Sequence, residues 1–118
     1  MAELLVDTDV FVDHLRGARE LRRGRDAIAY SVITRTELFA GPTEQEPRVA
    51  RLLAPFRELA VDRQIAETAG QLRRAHDVLL PDALIAATAL LHELQLVTRN
   101  VRDFRSIPEL ELREQPEL

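Results

Sequence analysis

The chain has 118 residues, 46% of them hydrophobic, a formal net charge of −4 and no cysteine. That length suits a single domain over residues 1–118 with a core of its own. The missing cysteines exclude disulfides, thiolate catalysis and Cys-based zinc sites, and the acidic balance argues against gripping nucleic acid by bulk charge alone.

No apolar run reaches the roughly 18 to 20 residues of a membrane span. The start, Met1-Ala2-Glu3-Leu4, has no basic region ahead of an apolar stretch. A cytoplasmic protein with no membrane association is therefore expected. All 16 Lys or Arg positions are Arg. Lysine chemistry is thereby absent, and phosphate contacts fall to Arg, backbone amides or a metal.

Leu4-Leu5-Val6 predicts a short buried strand ending in the polar Asp7-Thr8-Asp9. A helix over Val10–Arg16 should follow, capped by Thr8 or Asp9 and closed by Gly17. The Arg-rich Ala18–Arg25 suggests a second short helix. Ala27–Ile33 has strand composition. Thr34-Arg35-Thr36-Glu37 opens a helix that breaks at Gly41-Pro42, and Pro47–Ala54 is helical again.

Phe56–Val61 holds a short strand. Asp62 can cap the longest helix, whose apolar positions Ile65, Ala69, Leu72, Ala75 and Leu79 keep the helical period. Pro81 suits a first helical position, and Ala83–Leu91 is apolar enough to be buried on most sides. Gln95–Thr98 is a strand, Arg99-Asn100 a turn, Leu110–Arg113 a last strand, and 114–118 a fraying tail. Alternating strands and helices imply an α/β fold with a mostly parallel sheet.

In open α/β sheets, ligands bind beyond the carboxyl ends of the strands. Asp7 follows the first strand, Glu37 opens the helix after the second, and Asp82 starts the apolar helix. Asn100 and Asp103 follow a late strand. These acids face one edge of the sheet. Converging carboxylates repel one another unless a cation sits among them. Oxygen-only donors select a hard ion such as Mg²⁺ or Mn²⁺. Each acid also has a capping explanation: Asp7 and Asp82 at helix starts, and Glu37 in a Thr34-x-x-Glu37 capping box.

Four motifs then carry a resemblance: Leu5-Val6-Asp7-Thr8-Asp9-Val10; Ser31-x-x-Thr34-x-x-Glu37-Leu38; Asp82-Ala83-Leu84-Ile85-Ala86-Ala87-Thr88-Ala89; and Leu96-Val97-Thr98-Arg99-Asn100-Val101-Arg102-Asp103-Phe104. In this order and spacing they resemble the PIN domain, most of all its VapC branch, the toxins of bacterial type II toxin–antitoxin pairs. The resemblance implies a three-layer α/β/α fold and a Mg²⁺- or Mn²⁺-dependent endoribonuclease. It also implies a homodimer and silencing by a small VapB-type antitoxin. Asp7, Glu37 and Asp82 match the metal-holding acids. The fourth acid falls at Asn100 or Asp103, with Asp103 also a catalytic candidate. Thr8, Ser31 and Thr98 match pocket-lining positions, and Asp9 stands where Ser or Asn is common, at the pocket rim.

Such an ion would activate water against a phosphodiester and leave a 5′-phosphate. No histidine is required, and His14, His76 and His92 are read as helix-surface or core residues. Two Arg groups are candidates for guiding RNA phosphates. One is Arg16, Arg19, Arg22, Arg23 and Arg25. The other is Arg99, Arg102 and Arg105, of which Arg99 and Arg102 flank the last motif most closely. Phe11, Val12, Leu15, Leu38, Phe39, Leu52, Leu53 and Phe56 are candidates for an antitoxin groove or for the core.

Three other readings compete. Asp7 and Asp9 resemble the start of a haloacid-dehalogenase-type phosphatase, although the Lys such enzymes supply is missing. A phospho-receiver domain lacks its Lys likewise. A PIN-like module without activity, serving only to bind a partner, is the third.

Overall fold

A computed structural model of the chain describes residues 2–21 and 24–114. Arg22, Arg23 and 115–118 lie outside the described residues, so the phosphate-guiding candidates at those two arginines and most of the expected tail do too.

The elements run β1 (Glu3–Val6), α1 (Thr8–Leu15), β2 (Ala27–Ser31), α2 (Val32–Phe39), α3 (Glu46–Leu53), β3 (Arg57–Leu59), α4 (Arg63–His76), α5 (Leu80–Leu91), β4 (Gln95–Val97), α6 (Val101–Phe104) and β5 (Leu112–Arg113). A single 3₁₀ turn, Thr43–Gln45, precedes α3. The five strands form one sheet in the order β3-β2-β1-β4-β5, and every pairing is parallel.

Strand alternation builds the layers. Leu4, Val6, Ile28, Tyr30 and Val97 join one buried cluster, together with Val10 and Phe11 of α1, Leu38 of α2, and Val49 and Leu53 of α3. Leu5, Ala29 and Leu96 point the other way, into a cluster with Ile65, Ala69 and Leu72 of α4, the apolar body of α5, and Phe104 of α6. The side chains change face at each residue because the strand period is two. The result is the expected three-layer α/β/α arrangement. No helix among the described residues is long and apolar enough to cross a membrane.

Several boundaries differ from expectation. Helix α1 starts at Thr8, with Asp7 rather than Thr8 or Asp9 as its cap, while Gly17 does close it at φ +72°. The described residues of Ala18–Arg25 form turns, not a helix. Their backbone donors are taken by α1: the amides of Ala18 and Arg19 bond Asp13 O, and that of Leu21 bonds His14 Nδ1. Gly17 and Gly24, both at positive φ, bracket the stretch.

Strand β2 stops at Ser31, whose hydroxyl accepts from Ile33 N and caps α2. The expected Thr34–Glu37 box is therefore not the helix start. Helix α4 is capped by Asp62 as expected, but it ends at His76. Leu79 therefore falls outside the helix and is 69% exposed. Pro81 is the second helical residue of α5, not the first.

Candidate active site

The strand order reverses between β1 and β4, which makes that junction the switch point where such sheets open a crevice. Asp7 stands at the end of β1 and is 6% exposed. Its amide donates to Val97 O, tying it to β4. Its carboxylate accepts from Thr98 Oγ1 at 2.8 Å through Oδ2 and from Thr8 N at 2.8 Å through Oδ1.

Burial pushes the Asp7 carboxyl up to about 7, and the neighbouring Asp9 charge adds to the rise. The bonds from Thr98 and Thr8 oppose it, and Asp82 adds a smaller upward push. Asp82, half-buried in the first turn of α5, is also raised. Burial leads there, followed by the charges of Asp103, Glu37 and Asp9. Five carboxylates from different elements thus act on one another at one edge of the sheet. Among the described residues no three of them form a closed metal cage. The group is a converging negative field rather than a finished set of ligands.

Glu37 is exposed on α2 and makes no capping bond. Its Oε1 accepts from the Thr8 hydroxyl at 2.6 Å. That hydroxyl also lies 3.0 Å from Thr34 Oγ1, so the fully buried Thr34 stands behind the pair. The expected capping role of Glu37 is accordingly replaced by a tie to the residue after Asp7. Ser31, expected to line the pocket, accepts the α2 cap bond from Ile33 N and keeps its hydroxyl proton.

Asp9 is a bridge. Its carboxylate accepts from Arg99 N at 3.2 Å and lies 3.3 Å from Thr98 Oγ1, fastening the β4–α6 loop to α1. Thr98 Oγ1 accepts in turn from Asn100 N at 3.0 Å. Asn100 donates through Nδ2 to Asp103 Oδ2. The guanidinium of Arg99 pairs with Asp13 at 3.2 Å, whereas Arg102 on α6 is exposed and has no ion pair among the described residues. Thr34 and Asp13 escaped the sequence reading as site neighbours. The Thr8–Thr34 and Asp13–Arg99 pairings join distant elements and leave no local signal.

Residues 4–110 match the PIN domain. The chain belongs to the PIN-domain family. Ribonuclease VapC10 of Mycobacterium tuberculosis is 41% identical over 119 residues, covering 91% of this chain and 90% of the relative. Ribonuclease VapC19 of the same organism is 38% identical over 125 residues, covering 91% and 96%. A toxin–antitoxin complex from Klebsiella pneumoniae contains a chain with a TM-score of 0.74 and 36% identity, covering 91% of this chain and 94% of that one.

In this PIN domain both oxygens of Asp9 lie against the amide of Arg99, at 3.3 and 3.2 Å, so this acid fastens the β4–α6 loop. Clefts among the described residues meet the acidic edge. One, of about 500 Å³, runs between α1, α2 and α3 and carries Glu37 on its wall beside Val12, Leu15, Leu38, Pro42 and Val49. The groove candidates therefore divide. Val12, Leu15 and Leu38 line this cleft, while Phe11 and Leu53 are fully buried in the core. A second cleft holds Asp13, Thr98 and Arg99, and a third holds Asp82, Asp103 and Arg102.

Proposed function

We propose that this PIN domain is an endoribonuclease that hydrolyses RNA phosphodiesters with Mg²⁺ or Mn²⁺, and that it serves as the toxin of a VapBC-type pair. The observation that carries the reading is the buried Asp7 at the β1–β4 switch point, with its carboxyl raised to about 7 among further acids from α1, α2, α5 and α6. A carboxylate held there at a cost in stability has a use for a cation. The kinship with ribonucleases over nearly the whole chain supports the substrate class.

The donors are all oxygen, which suits a hard divalent ion. Asp7, Glu37, Asp82 and Asp103 would hold it, and it would supply Lewis-acid activation of water at the phosphodiester. Asp103 is taken as the fourth acid because it carries a charge that acts on Asp82, whereas Asn100 is neutral. Asn100 then orients Asp103 through its amide nitrogen.

The chain's own groups do the positioning. Thr98 and the Thr8 amide each hold one Asp7 oxygen, which fixes the plane of the carboxylate and leaves a lone pair on each oxygen. The Thr8 hydroxyl holds Glu37. Asp9 keeps Thr98 and Arg99 against α1.

The large cleft suits an apolar antitoxin segment, and Glu37 on its wall offers a carboxylate to a basic side chain of that partner. A homodimer in the cytoplasm, where the RNA and the antitoxin are made, belongs to the same reading. The direct test is cleavage of single-stranded RNA by the purified chain in Mg²⁺ or Mn²⁺. Loss of cleavage in Asp7→Asn and Asp82→Asn is expected, whereas no cleavage by the wild type would favour a binding module.

A further inference from the structure

Beside the acidic edge lies a cleft of about 280 Å³ lined by His76, Asp77, Val78, Leu79, Asp82, Arg102, Asp103 and Ser106. Two of these, Asp82 and Asp103, belong to the acid group described above. Arg102, His76 and Ser106 do not, and none of the three has a side-chain partner among the described residues. A guanidinium, an imidazole and a hydroxyl thus face a cavity that opens onto the proposed reaction centre.

The walls are well supported. Asp77, in the left-handed region at φ 52°, ends α4, and Arg73 Nε donates to Val78 O across the turn. On the other side Phe104 and Ile107 are buried and anchor the turn that presents Ser106. The free donors therefore project from fixed backbone.

Arg99 and Arg102 flank the same motif, yet the structure separates them. Arg99 is paired with Asp13, while Arg102 is open to a ligand. Arg with neighbouring hydroxyl and ring N–H donors is a phosphate-reading combination. The Asp82 and Asp103 wall repels a free anion or a carboxylate. An anion is admitted when it belongs to a strand whose next phosphate lies at the acid centre with its cation. That condition describes a polynucleotide and not a small acid.

We propose that Arg102, His76 and Ser106 form a subsite for a backbone phosphate of single-stranded RNA, one step along the strand from the scissile bond. The proposal rests on the ribonuclease reading and assigns the strand's path across α6 and the α4–α5 turn.

The test is steady-state cleavage of a mixed-sequence single-stranded RNA, labelled with a fluorophore and quencher, by the full chain in Mg²⁺ over a series of NaCl concentrations. Arg102→Gln should raise KM about tenfold with kcat within twofold. It should also reduce the slope of log(kcat/KM) against log[salt] by about 0.7, the loss of one single-strand phosphate contact. His76→Gln and Ser106→Ala should raise KM about threefold each. Arg51→Gln, on α3 in the opposite helical layer, should change neither value. Arg102, Ser106 and Arg51 are exposed and His76 is half-buried, and matching circular dichroism melts confirm folding.

Unchanged KM and salt slope in Arg102→Gln, with normal wild-type cleavage, would overturn the subsite and leave the ribonuclease reading intact. A fall in kcat alone would also overturn it. A wild-type chain that cleaves no RNA would remove the reading beneath it as well.

Discussion

The Thr98 hydroxyl donates to Oδ2 of Asp7 at 2.8 Å, joining the ends of β4 and β1 across the switch point of the sheet. Thr98 Oγ1 also accepts from Asn100 N and lies 3.3 Å from Asp9 Oδ2. One buried hydroxyl thus coordinates three segments of the site. Its bond favours the ionised form of Asp7. Thr98→Val should therefore raise the Asp7 pKa further, move the acid limb of the rate–pH profile upward and cut cleavage at pH 7 about tenfold. A stability loss of roughly 1–3 kcal/mol should accompany it, since buried polar groups lose their partner. Thr98→Ser should restore both. The pH profile of kcat/KM for the three proteins checks this.

Asp7 also sets a pH dependence of stability. Its carboxyl is raised from 3.8 to about 7, so between about pH 4 and 7 the folded chain keeps a proton that the unfolded chain releases. This group's contribution therefore falls as pH rises through that window and is flat above it. At about 1.4 kcal/mol per unit the change is on the order of 4 kcal/mol. Asp7→Asn removes the titration. Urea unfolding should show the variant gaining on the wild type from pH 4 to 7 and holding the difference at pH 8. A constant difference across that range would contradict the burial argument.

Added Mn²⁺ at pH 8 should raise the Tm of the wild type and leave that of Asp7→Asn nearly unchanged, because only the wild type offers the destabilised carboxylate a cation. Thermal melts with and without the ion decide it.

Glu37 and Ser31 separate function from capping. Glu37 is exposed and caps nothing, so Glu37→Gln should cost under about 0.5 kcal/mol while lowering cleavage at least a hundredfold. Ser31→Ala should do the reverse, costing about 1 kcal/mol through the lost α2 cap and leaving kcat within a few fold. Paired denaturation and cleavage assays test the contrast.

The parallel sheet, the buried α5 and the gathering of Asp7, Glu37, Asp82 and Asp103 at one edge were legible in the sequence. Strand–helix alternation places the starts of helices at the carboxyl edge; Asp7, Asp82 and Asp103 occupy such starts, whereas Glu37, the sixth residue of α2, joins them through the Thr8 hydroxyl. Arginine favours helix over Ala18–Arg25, but at the described residues of that stretch Gly17, Gly24 and the carbonyl of Asp13 dictate turns. Ser31 and Thr34 are both good caps, and only strand pairing of Ser31 with Leu59 decides between them. The bonds that give each acid its role, Thr98 to Asp7 and Thr8 to Glu37, connect residues far apart in sequence. The division of Arg99 from Arg102 likewise depends on Asp13, which no local pattern marks.

The most direct test of the central claim is to map the ends of RNA fragments released by the purified chain in Mg²⁺ and in EDTA. Cleavage confined to the metal-containing reaction, with 5′-phosphate ends and no product from Asp7→Asn, is the predicted result. Cleavage that persists in EDTA, or 2′,3′-cyclic phosphate ends, would contradict it.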